Sequence, residues 1–193
     1  MILAVFRRRQ PEATIRALYG TIVAQARHPS FYLSYGVPDS TTGRFEMIVL
    51  HQTLLLRRLR QAGMPDHMGL MGQAVFDLFC RDMDHNLREM GVGDMAVPKE
   101  MRRMGEAFYG RAAAYDHALD TGDERALAIV LARNVLGEAS VPDEARRLAR
   151  YVWEAMRRLA ATSEASLAQA MLAFPDPDTI AAPVGSKSKE ATP

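Results

Sequence analysis

Residues 98–119 read PKEMRRMGEAFYGRAAAYDHAL, and their spacing decides the fold. Met101, Met104, Phe108, Ala112, Tyr115 and Leu119 recur at steps of three and four over about five turns, the period of a helix with one apolar face. Pro98 suits a first helical turn, where no backbone N–H is required of it. Upstream, Phe76, Phe79, Met83, Leu87 and Met90 repeat the pattern along a helix expected from Asp66 to Met90, and Gly91 is placed to close it in the left-handed conformation. Phe45, Ile48, Gln52, Leu55 and Leu59 predict another from Thr42 to Gln61, ended by Gly63 and Pro65. Pro11 predicts a first helix reaching His28, where Pro29 stops it, and the stretch Phe31 to Asp39 reads as a loop. Downstream, Thr121-Gly122-Asp123-Glu124 has the spacing of a capping box and opens a fifth helix ending near Gly137. Pro142 opens a sixth, with Leu148, Val152, Met156 and Leu159 inward, and Ser163 to Phe174 reads as a seventh. Nothing alternates with period two over a useful length. The expectation is an all-α chain: one globular domain of about seven helices over residues 1–174. A flexible tail over 175–193 follows, since its prolines and few apolar groups leave little to bury.

The composition fits that expectation and narrows the function. A chain of 193 residues with 48% apolar and 24% charged residues is too apolar for a disordered protein and long enough for one core. Its net charge of +1 lacks the basic excess of a nucleic-acid binder. That neutrality is a cancellation: residues 1–60 hold nine basic and three acidic groups, and residues 61–100 hold three and seven. A basic N-terminal third is compatible with an anionic membrane surface. No window approaches the roughly 20 apolar residues of a spanning helix. Ile2 to Phe6 precedes Arg7-Arg8-Arg9, which is too short and in the wrong order for a secretory signal. It reads either as a terminus packed on the domain or as a membrane-surface contact. The lone cysteine, Cys80, excludes an intramolecular disulfide and a Cys-only zinc site and suits a reducing compartment. The expected location is cytoplasmic, with peripheral contact at the inner face of the cell membrane.

Catalytic motifs are missing. Gly91-Val92-Gly93 begins like a nucleotide fingerprint but lacks its third glycine and the preceding strand. Cys80 lies mid-helix with nothing to activate it. No enzyme, catalytic residue, cofactor or resident metal is expected. Asp82 and His85 share a helix face, which is half of a helical di-metal site whose matching half is missing. A helical metal- or haem-handling protein therefore stands as one alternative, and a soluble helix-binding interaction module as another. The arginine-rich ends at Arg57, Arg58 and Arg60 and at Arg146 to Arg158 read as solvated helix faces. Methionine is more informative: eight of twelve fall within residues 64–104. Met83, Met90, Met101 and Met104 belong to the inward stripes. Met64, Met68, Met71 and Met95 sit near helix ends or loops and are expected to form an exposed, adaptable apolar patch.

Several segments also stand in a recognisable order. They are Tyr35-Gly36-Val37-Pro38-Asp39 with Gly43-Arg44-Phe45-Glu46, then Asp82-Met83-Asp84 with Leu87 to Asp94. Val97-Pro98-Lys99 follows, then Ala107-Phe108-Tyr109-Gly110-Arg111 with Ala114-Tyr115. Over about residues 31–120 the sequence resembles bacterial members of the ubiquinol–cytochrome c chaperone family, assembly factors of the respiratory cytochrome bc complex. The resemblance implies a non-enzymatic helical protein that binds newly made cytochrome b until haem and partner subunits are in place. Mitochondrial members also associate with a small partner protein and the ribosome exit region. This chain lacks their long N-terminal extension, so those two contacts stay open. The partner-contact candidates are Tyr35, Arg44, Phe45, Asp82, Asp84, Arg88, Asp94, Lys99, Tyr109 and Arg111, together with Met64, Met68, Met71 and Met95. Asp82, Asp84, Arg88 and Arg111 would equally serve to pair across the hairpin and hold it closed.

Overall fold

The computed structural model describes residues 12–62 and 65–181. Readings that fall on Ile2 to Pro11, on Gly63 and Met64, or on the chain after residue 181 lie outside the described residues. Among those described, the chain is all-α: α1 (Glu12–Ala26), α2 (Pro29–Ser34), α3 (Thr41–Arg60), α4 (Pro65–Glu89), α5 (Val97–Thr121), α6 (Glu124–Leu131), α7 (Asp143–Ala161) and α8 (Glu164–Ala168). None of them is long and apolar enough to cross a membrane.

The centre of the molecule is α3. Every residue from Glu46 to Leu55 is buried, because α1, α4, α5 and α7 all pack around it. A helix enclosed on all sides has no polar face, so the single stripe expected from Phe45 to Leu59 captured only part of its contacts. Its start is set by Ser40, whose Oγ accepts from the Gly43 amide at 3.1 Å. At Gly43 the preceding turn comes so close that an added Cβ would lie 2.0 Å from the Pro38 carbonyl oxygen. The far end of α3 is pinned by Arg58, only 9% exposed, which donates to the carbonyls of Leu159 and Thr162 at the end of α7. Carbonyls in a last helical turn lack the full set of i+4 partners, and the guanidinium supplies donors there.

The antiparallel pair α4–α5 follows the expected pattern closely. Gly91 takes φ +82°, and the amides of Gly91 and Val92 bond back to Arg88 and Leu87, closing α4 as a Schellman turn. The capping-box reading at Thr121 is corrected. Thr121 still belongs to α5, Gly122 ends it at φ +69°, and Asp123 caps α6 by accepting from the Arg125 amide at 2.8 Å. The fifth expected helix does reach Gly137, its last turn widening to a π-turn over Ala132–Leu136.

Two expectations fail at the edges. The first half of the predicted loop is instead α2, while Tyr35 to Asp39 is non-helical as expected: the proline that cannot continue α1 is preset for a new first turn, and His28 accepts from the Ser30 amide ahead of it. The seventh helix, predicted to reach Phe174, ends at Ala168, and Ala170 sits at φ +58°. The chain then runs back across the domain through residue 181. Phe174 and Pro177 are buried. Tyr35 donates to the Pro177 carbonyl at 2.6 Å, Gln25 to the Pro175 carbonyl at 2.9 Å, and Arg147 to the Ile180 carbonyl at 3.0 Å. Residues 175–181, read from sequence as the start of a tail, are therefore a strap over α1, α2 and α7. Tyr35→Phe is expected to cost about 1 kcal/mol, read as a shift in urea midpoint at unchanged slope. A neutral result would mean water replaces the strap bond.

Beneath the strap, Phe31, Tyr35, His51, Tyr151 and Phe174 stack with ring centroids mostly 4.9–5.6 Å apart. His51 is fully buried. Its Nδ1 lies 2.8 Å from the Met47 carbonyl, which only accepts, so Nδ1 carries the proton. Nε2 is then the acceptor for the Tyr151 hydroxyl at 2.7 Å, and that hydroxyl accepts in turn from Gln25 at 3.1 Å. Burial pulls the His51 pKa down to about 4, partly opposed by the Met47 bond.

Candidate functional site

The features that call for a partner gather where α4 and α5 pack along α3. The centre of this face is a run of rings: Phe76 lies 4.9 Å from Phe108 and 6.0 Å from Phe79, and Phe45 lies 6.3 Å from Phe79. Tyr109, 64% exposed, leans on Phe76 at 5.8 Å. The helices splay on either side of these rings. One hollow, of about 230 Å³, lies between Leu56, Leu59, Met68, Gly72, Phe76 and Tyr109. The other, about 410 Å³, is lined by Thr41, Thr42, Phe45, Glu46, Leu87, Met90, Glu100, Arg103, Met104, Ala107 and Arg111. Beside it Met90 and Met95 stand 56% and 96% exposed. Large apolar groups so exposed at the rim of an apolar hollow are a feature of binding surfaces.

At the floor of the larger hollow is Glu46, 2% exposed, paired through Oε2 to Arg111 Nε. Burial pushes the Glu46 carboxyl up, and the guanidinium beside it opposes that rise. This pair joins two of the segments that carried the resemblance, Gly43–Glu46 and Ala107–Arg111. A charged residue in the otherwise apolar run of α3 was the available signal for Glu46. It was missed as a site residue, as were Thr41, Thr42 and Met104, and Met90, which the inward stripe assigned to the core.

The other candidates divide. Met95 is exposed as expected, but Met68 and Met71 are fully buried under α3 and form no patch. Closeness to a helix end sets no facing, and both project from the inner side of α4. Met64 lies outside the described residues. Tyr35 is buried beneath the strap, with the Arg147 guanidinium 4.3 Å above its ring. Asp82 accepts from Tyr19 of α1 at 2.7 Å. Arg88 bridges Asp84 on its own helix at 2.8 Å and Asp94 in the following turn at 2.5 Å, so this pair braces the turn, whereas the expected hairpin-crossing pairing would reach α5. Arg44 pairs with Asp39 at 2.8 Å, and Lys99 is exposed beyond the hollow. His85 pairs with Glu89 at 3.2 Å, so Asp82 and His85 face different partners. Ligand atoms of His28, Asp176 and Asp178 lie within 4.8 Å of one another. All three are already engaged: His28 caps Ser30, Asp176 caps Asp178, and Asp178 ties the strap to α2 by accepting from the Ser30 hydroxyl at 2.5 Å. The basic N-terminal third is also less of a field than its count suggests. Arg57 and Arg60 pair with Asp116 and Asp120 of α5, and Arg58 is buried.

A family model for the ubiquinol-cytochrome C chaperone matches residues 33–174. No curated protein matches the chain. Among solved structures, the crystal structure of the Cbp3 homologue from Brucella abortus superposes with a TM-score of 0.81 at 38% identity. That match covers 94% of this chain and 100% of the other. The resemblance read from the motif segments therefore holds across the domain: the chain belongs to the ubiquinol–cytochrome c chaperone family.

Proposed function

We propose that the protein is an assembly chaperone for the respiratory cytochrome bc complex and that its client is newly made cytochrome b, held on the α4–α5 face. The observation that carries the second part is exposed Met90 on the rim of the apolar hollow of about 410 Å³, with Met95 exposed in the turn that follows and Tyr109 exposed over the smaller hollow on the same face. Methionine adapts its shape to varied apolar partners, which suits a client that has not reached its final packing. The surface differs in part from that expected from sequence: Met95 stays, Met90 joins it, and Met68 and Met71 drop out.

A photo-crosslinker at Met95 or Met90 is expected to capture cytochrome b while the complex assembles, and one at exposed Ile129 on α6 is expected not to. Deleting the gene is expected to lower the amount of assembled complex. Capture at Ile129 alone would move the client to another face. Unchanged complex after deletion would remove the assembly role.

A further inference from the structure

We propose that the larger hollow selects a client helix that is apolar except for one neutral hydrogen-bond donor (a hydroxyl, amide or neutral imidazole) and seats that donor on the Glu46 carboxylate. The inference rests on the chaperone reading above and specifies what its surface selects. Phe45, Leu87, Met90 and Met104 make the hollow apolar, and Glu46 is the one nearly buried charge among its lining residues. Arg111 uses Oε2, and no other described residue bonds to this carboxylate. A carboxylate offers about four acceptor positions, so capacity is left over at the floor of the hollow.

Charge then decides which donor fits. Four charged residues line the hollow: Glu46 with Arg111, and Glu100 with Arg103, the latter pair at 2.8 Å. Two negative charges already face two positive ones, so a lysine or arginine on the client would be buried without compensation. A wholly apolar helix would strip the remaining water from Glu46 and return nothing. A neutral donor avoids both penalties. The match suits a membrane-protein helix, because polar side chains there are rare and await partners that arrive with assembly.

The test uses three synthetic 18-residue helical peptides, identical but for a central Gln, Leu or Lys, titrated against the full chain by fluorescence anisotropy. The Gln peptide is expected to bind about tenfold tighter than either of the others. In Glu46→Met/Arg111→Met, which removes both charges at once, the Leu peptide is expected to become the tightest, with a melting curve confirming the fold. Equal binding of the Gln and Leu peptides to the native chain, or tightest binding of Lys, overturns the proposed selectivity and leaves the α4–α5 face as the client surface. Binding of none of the three overturns both this inference and that surface. The gene-deletion result would still judge the assembly role separately.

Discussion

Acidifying the protein from pH 6.5 to 4 is expected to remove about 3 kcal/mol of stability through His51 alone. In the unfolded chain this imidazole titrates near 6.5, and in the folded chain burial holds it down to about 4. Between those values the unfolded state binds a proton that the folded state refuses, so stability falls as pH falls through that window. Above 6.5 neither state is charged and the contribution is flat. The structural cause is specific: protonating Nε2 would turn the acceptor of the Tyr151 hydroxyl into a second donor facing it. Glu46 acts in the opposite direction, because its raised carboxyl pKa favours the folded state on acidification. Comparing chemical denaturation at pH 7 and 4.5 in the native chain and in His51→Gln isolates the histidine. The variant is expected to be less stable at pH 7 but to lack most of the acid loss. An equal loss in both proteins would assign the effect to carboxylates instead.

Gly43→Ala is expected to destabilise the fold by about 3 kcal/mol or more. A Cβ there would sit 2.0 Å from the Pro38 carbonyl oxygen, a backbone atom. That oxygen also accepts from Ser40, the residue that caps α3, so relief would have to shift the turn feeding the central helix. Gly105→Ala provides the contrast. It lies mid-helix in α5 with nothing within 4 Å of the new atom, so the substitution is expected to stabilise by about 0.5–1 kcal/mol. Thermal melts of the two variants measure this directly. Similar shifts in both would mean that the turn before α3 gives way easily.

The long helices were legible because an apolar stripe at steps of three and four can be satisfied only one way. Residues 101–119 and 76–87 fall where the spacing put them. The depth of a helix in the bundle was not legible. Gln52 stood within the expected stripe, but nothing in the spacing put its neighbour His51 inside; both are fully buried because helices pack around this part of α3 on every side. Proline misled twice for a related reason. Its chemistry fixes φ and removes a donor, but the consequence depends on what lies against it. Pro29 both ends one helix and starts another, and Pro177 accepts a hydrogen bond from Tyr35 beneath it instead of marking a free tail. The site was half legible. The segments containing Glu46 and Arg111 were recognised, and their meeting across 65 residues of sequence was visible only in the fold.

The strap also bears on when the protein becomes complete. His51 meets Tyr151 across 100 residues, Gln25 meets Pro175 across 150, and Tyr35 meets Pro177 across 142. Contacts of such separation close large loops and form late, since the loop entropy must be overcome before they contribute. During synthesis α1, α2 and α3 emerge long before the residues that roof them, so the ring cluster around His51 stays open until Tyr151, Phe174 and Pro177 have followed. The domain therefore closes only once residues 174–181, which roof its oldest helices, have been made.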